Sequence, residues 1–181
     1  MRPGGVWRIA VVAGVMLVGA RAAHGQTSVS LPNSTQTTTL TANVTDQARV
    51  TVPAGVTFTV TNVSASTPSS GQSITVDSIV LAAATNQLKV SLQGNSDAFT
   101  PPVAGATTWA VGDVTWNAAS WTNATGSSGT LSNTAYNTVA TCTADTGSCS
   151  TTALVFTLAA KSTVKRSGNH TLVVTWKFES I

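Results

Sequence analysis

Asn169-His170-Thr171-Leu172-Val173-Val174-Thr175-Trp176-Lys177-Phe178-Glu179-Ser180-Ile181 is the stretch whose reading decides the fold. Leu172, Val174, Trp176 and Phe178 fall on every second residue, with Thr171, Val173, Thr175 and Lys177 between them. Side chains alternate across a strand, so one face is large and apolar and the other is mostly Thr and Lys. That is a half-buried strand whose apolar face must meet a second sheet. Gly168-Asn169 supplies the turn into it.

Working back along the chain, the same period of two recurs. Leu154, Phe156 and Leu158 alternate with Val155, Thr157 and Ala159. Val114 and Trp116 alternate with Asp113 and Thr115, and residues 129–141 hold one or two short strands. Residues 74–81 and 88–92 form strands, the second with Leu88, Val90 and Leu92 inward and Lys89 toward water. The cleanest early alternation is Val56, Phe58 and Val60 against Thr57, Thr59 and Thr61. Residues 48–52 form a short strand closed by Pro53-Ala54-Gly55. Leu40, Ala42 and Val44, set between Thr39, Thr41 and Asn43, give the first strand. Polar loops at 64–72 and 118–128 and a proline-bearing connection at 95–108 separate these runs. No helical period of useful length appears after residue 25. Many short strands with turns at this spacing predict an all-β fold, an antiparallel immunoglobulin-like β-sandwich.

The first residues read as an address. Arg2 and Arg8 precede an apolar run over 9–20, and small residues follow it, the pattern of a secretory signal peptide. Cleavage after Gly25 is expected, with Ala23 the alternative. The expected domains are a signal peptide at 1–25, a flexible arm at 26–38 and a β-sandwich at 39–181. The location implied is secreted, extracellular or cell-surface, reached through a periplasm if the host has one. No membrane span is expected in the mature chain.

Removing that leader changes the charge argument. The formal +3 arises from 9 basic and 6 acidic residues. Arg2, Arg8 and Arg21 leave with the leader, so 9 − 3 = 6 basic residues balance 6 acidic ones. A nucleic-acid partner wants a basic face and is not expected. Charged residues are 8% of the chain, well under the roughly 25% of an average domain. Thr and Ser fill the gap, and β-branched Thr suits a pleated, half-wet surface.

Few residues can carry chemistry. Cys142 and Cys149 are the only cysteines, and export favours a disulfide between them. Asp145 and Gly147 between them suit a tight hairpin tip. His170 is the only histidine after residue 25, so no His-based metal site or triad is expected. Asp46, Asp77, Asp97, Asp113, Asp145 and Glu179 stand singly. No phosphate loop or serine elbow is present. A non-catalytic protein without cofactor or metal is expected. Trp109 and Trp121 lie in irregular stretches, where exposed rings would stack on sugars, although packing is the plainer role. Lys161, Lys165 and Arg166 form a basic cluster whose plain reading is a solvated loop.

The ending Gly168-Asn169-His170-Thr171-Leu172-Val173-Val174-Thr175-Trp176 resembles the closing strand of secreted bacterial fimbrial and spore-coat protein U-like subunits. Ala48-Arg49-Val50-Thr51-Val52 and Asp113-Val114-Thr115-Trp116 are similar to segments of secreted bacterial β-sandwich proteins. His170 stands where that family often has Tyr, and the cysteine pair sits late rather than early in the chain. The resemblance implies assembly by strand exchange. Independently, the alternation of Leu40, Ala42 and Val44 at the end of the arm suits a donor strand added to a neighbour's sheet edge, or else the first strand of the chain's own sandwich.

Two functions follow as expectations. The first is an exported structural subunit of a cell-surface appendage, pilus or coat, with self-association or other surface subunits as partners. The alternative is a secreted glycan-binding module, with polysaccharide as partner and Trp109 and Trp121 as its platform. A small outer-membrane barrel fits less well, because its strands need about 10 residues each.

Overall fold

The computed structural model describes residues 28–32, 34 and 36–181. The expected signal peptide lies outside the described residues. Residues 42–181 make one compact unit. Its eleven strands are β1 (Gln47–Thr51), β2 (Thr67–Pro68), β3 (Gln72–Val80), β4 (Leu88–Gly94), β5 (Val114–Trp116), β6 (Ala124–Gly126), β7 (Gly129–Thr130), β8 (Asn137–Cys142), β9 (Cys149–Leu154), β10 (Phe156–Leu158) and β11 (Val174–Ser180). The only helical turn among the described residues is a 3-10 turn at Val111–Asp113. The fold is all-β and antiparallel, a β-sandwich as the alternation predicts.

The strands divide into three sheets, β1-β3-β9, β2-β10-β5-β7 and β11-β4-β8-β6, where a regular immunoglobulin-like sandwich has two. The longest ladder joins β11 to β4 without a register shift, from Val174 opposite Gly94 to Ser180 opposite Leu88. Bulges in the β1–β3, β3–β9 and β4–β8 pairings bend the other ladders. Arg49 sits directly opposite Asp77 across β1 and β3, and its Nε donates to the Asp77 carboxylate at 2.6 Å.

The inward faces supply the core. Ile74 and Val76 of β3, Val90 and Leu92 of β4, Val139 of β8 and Leu154 of β9 are fully buried. The alternation that defines each strand is therefore also what joins the sheets. Trp116 of β5 lies over Gly129 of β7, its cross-strand partner, so closely that a Cβ there would come within 2.4 Å of the ring. Its Nε1 donates to the Ser127 carbonyl at 2.9 Å. A glycine is needed at that position for this close approach.

The disulfide joins Cys142 to Cys149 with a Cα–Cα separation of 5.8 Å. The expected hairpin tip is corrected. β8 pairs with β4 and β6, whereas β9 pairs with β3, so the cysteines link two sheets across a turn between them. Asp145 takes the left-handed backbone in that turn, with φ of 55°. Local residue types read equally well as a hairpin; only the long-range partners separate the two cases.

Three further differences from the sequence reading bear on function. β9 and β6 form in stretches whose Thr, Ser and Ala show no clear period. Residues 39–44 form no strand, and Leu40 and Val44 are 91% and 66% exposed. Residues 53–63 are extended without a ladder partner, although Val56, Phe58 and Val60 are half-buried and Thr57 and Thr59 are exposed. In 53–63 the burial alternates but the neighbouring strand that would complete it is missing, whereas every residue of 39–44 is exposed.

Candidate functional site

The unpaired 53–63 segment and β11 flank an open groove of about 990 Å³. Val56, Phe58 and Val60 form one wall, and Leu172, Val174 and Trp176 form the other. Phe99, Trp109, Leu131 and Phe156 lie in its floor. All four are buried core residues, so the groove is a gap in the side of the sandwich.

β11 makes this wall because it is an edge strand. It is bonded to β4 on one side, and no strand lies on the other. Its apolar face points as its alternation predicts, with Trp176 and Phe178 half-buried and Thr175 and Lys177 exposed. That face is incompletely covered, since Val174 remains 37% exposed. The opposite wall has open backbone too. Lys161 N–H donates to the Val63 carbonyl at 2.6 Å, which ties the end of the 53–63 segment to the loop that precedes the β11 wall.

The loop over 161–170 closes this end of the groove. Lys161 Nζ donates to the Asp113 carboxylate at 2.8 Å, and Val164 is buried beneath the turn. His170 is fixed on both ring nitrogens, with Nδ1 2.8 Å from Thr108 Oγ1 and Nε2 3.1 Å from the Arg166 carbonyl. Its ring stands edge-on to Trp109 at 5.2 Å. Thr171 exchanges two backbone hydrogen bonds with Thr100. Gly168 has φ of 124°, a region favouring glycine, and it lies against Pro102. On this fastened loop Lys165 and Arg166 line the groove and are exposed.

The candidate sugar platform does not take the expected form. Trp109 is 4% exposed; its Nε1 donates to the Ala159 carbonyl at 2.9 Å and its ring packs edge-on to Phe99. The connection over 95–108 is irregular but tied down by bridges from Ala98 to Ala110 and from Thr100 to Thr171, so it covers core. Trp121 is half-buried against the core, beside Gly126, and does not line the groove. The groove itself was not foreseen. The signal for it was the 56–60 alternation, which called for a partner strand that no neighbouring stretch provides.

Ion pairs occupy most other charges. Besides Arg49–Asp77 and Lys161–Asp113, Glu179 pairs with Lys89 at 2.5 Å and with Lys177. Hydrogen bonding to Arg49 holds the Asp77 carboxyl below its ordinary pKa, and hydrogen bonds from Lys177 and then Lys89 do the same for Glu179. No helix among the described residues is long and apolar enough to cross a membrane. Family models, curated proteins and solved structures were all compared with the chain, and none matches it.

Proposed function

We propose that this chain is an exported, non-catalytic structural subunit that assembles into a cell-surface appendage or coat by taking an extended strand into the groove beside β11. The observation that carries this reading is the pairing of two incomplete features. A long edge strand with a partly uncovered apolar face meets an extended, unpaired 53–63 segment across a groove. A strand laid there would gain main-chain hydrogen bonds from the β11 edge and side-chain pockets from the floor, the two elements of strand addition.

The chain also carries a segment of matching pattern. Leu40, Ala42 and Val44 alternate with polar residues and form no strand. Burying a Leu or Val side chain is worth about 1.5–3 kcal/mol, so this short segment would contribute several kcal/mol before ordering costs. The polysaccharide alternative has less support, because Trp109 is buried and Trp121 is half-buried.

The test is whether the arm drives assembly. Protein lacking residues 26–44 is expected to be monomeric by light scattering and to bind a synthetic peptide spanning residues 36–46 in a one-to-one ratio. Full-length protein is expected to form oligomers or filaments visible by electron microscopy. Unchanged assembly after the deletion, or a full-length chain that stays monomeric at high concentration, refutes the reading.

A further inference from the structure

We propose that the groove beside β11 binds a free, single-chain anionic amphiphile of the fatty-acid type, with its alkyl chain on the floor and its acid head at Lys165 and Arg166. This goes beyond the strand-addition reading and does not rest on it.

The floor decides what can lie there. Val114 of β5, Phe156 and Leu158 of β10, and Phe99, Trp109 and Leu131 from the connections all line the groove and are all buried. β5 and β10 are inner strands of their sheet, each paired on both sides, which commits their backbone hydrogen bonds to the ladder. The Trp109 Nε1 is spent on the Ala159 carbonyl. The floor therefore presents carbon and few free hydrogen-bonding groups. A sugar or a peptide backbone at that depth would leave polar groups unpaired, whereas an alkyl chain has none. The volume of about 990 Å³ lies at the top of the roughly 300–1,000 Å³ range of small-molecule sites, ample for such a chain.

Charge selects the head group. No aspartate or glutamate lines the groove, while Lys165 and Arg166 both do. Among the described residues, Arg49, Lys89, Lys161 and Lys177 each pair with a carboxylate, and Lys165 and Arg166 pair with none. The loop that carries them is fastened by the Lys161–Asp113 pair and by buried Val164, so two unpaired cations are held at the groove. His170 lines the groove as well, but both of its ring nitrogens are engaged, with Thr108 Oγ1 and the Arg166 carbonyl. The head group therefore falls to Lys165 and to the Arg166 guanidinium, whose planar fork matches a carboxylate. An amphiphile and an incoming strand claim the same walls, so a bound amphiphile would hold the subunit out of assembly.

Trp109 and Trp176 line the groove, so tryptophan fluorescence reads its occupancy. The full chain is titrated at a concentration where light scattering reports monomer, with decanoate, laurate, myristate, dodecyltrimethylammonium and phosphatidylglycerol vesicles. Saturation is expected at one laurate per chain, with binding about tenfold tighter for each step of two methylenes. The ammonium is expected to bind at least about tenfold more weakly than laurate. Lys165→Glu/Arg166→Glu is expected to weaken laurate about tenfold at low salt and less at high salt. Val174→Asp puts a carboxylate into the wall at a partly exposed position and is expected to abolish laurate binding. Far-UV circular dichroism checks the fold of each variant; if Val174→Asp does not fold, the charge reversal, at two exposed positions, decides alone. Absence of saturable laurate binding, or laurate binding unchanged in Val174→Asp, overturns the site. Equal binding of laurate and the ammonium, unmoved by the charge reversal, overturns the anionic head group. Binding to the vesicles but not to laurate overturns a free amphiphile as the ligand.

Discussion

Replacing Trp176 by Ala separates a groove wall from a core residue. Trp116 and Trp176 both lie on strand faces that the sequence assigns to the interior, yet their surroundings differ. Trp116 is 3% exposed, stacked over Gly129 and bonded to the Ser127 carbonyl. Trp176 is half-buried, with its groove side uncovered. Deleting a fully buried Trp costs about 3–5 kcal/mol. For Trp116→Ala the whole of that is expected, with about 1 kcal/mol more for the lost hydrogen bond. For Trp176→Ala in the monomer, roughly half the contact is present, so about 1.5–2.5 kcal/mol is expected. Urea unfolding of the protein lacking residues 26–44 reads both values without interference from assembly. Lys177→Ala, on the opposite face, should shift the midpoint by less than about 0.5 kcal/mol. Equal losses from the two tryptophan variants would mean that Trp176 is enclosed and that the groove beside it does not exist.

The remaining predictions are brief. Non-reducing mass analysis should find one Cys142–Cys149 link and no free thiol, and replacing both cysteines by Ser should lower stability by about 2–3 kcal/mol without unfolding the domain. Gly129→Ala should destabilise by about 1–3 kcal/mol, because the added methyl meets the Trp116 ring. Asp77 and Glu179 have lowered folded-state pKa values, so their contribution is full above the ordinary carboxylate range and is lost as pH falls through the lowered values. Glu179→Gln should therefore lower stability slightly in the neutral region, where the pair contributes fully, and bring the variant and wild type together as pH falls below about 4.5, so that the acid limb is flatter.

Where the alternation coincided with a paired strand, the sequence was sufficient. β3, β4, β5 and β11 all follow from apolar residues at every second position, because burial of one face is what both the pattern and the packing express. β9 was not legible, since its Cys, Ser, Thr and Ala residues gain their place from β3 and the disulfide. Trp109 misled for the opposite reason. Its neighbours look like a loop, and only the contacts to Phe99, Ala159 and His170 reveal that the loop covers the core. The groove was half-legible. Val56, Phe58 and Val60 announced a strand face, but a sequence pattern reports which side chains are covered and not whether the backbone has a partner.

The two edges of the β11-β4-β8-β6 sheet are managed differently. β6 at one edge has three residues, too few to template a long strand. β11 at the other has seven, fully registered on β4. Exposed edges are usually blunted by lysine, proline or brevity. The single lysine of β11, Lys177, is held by Glu179 and lies 5.6 Å from the Tyr136 ring centroid, over the face of its own sheet. No proline interrupts the strand. Of the two, the β11 edge presents the longer regular backbone. The proposed donor, the segment with Leu40, Ala42 and Val44, and the proposed acceptor, the groove beside β11, are different surfaces of the same chain. A contact between unlike surfaces does not close on itself after two copies, and unless a rotation completes a ring it repeats without end. Under the proposed function, a long open edge and a separate arm thus favour a filament over a dimer.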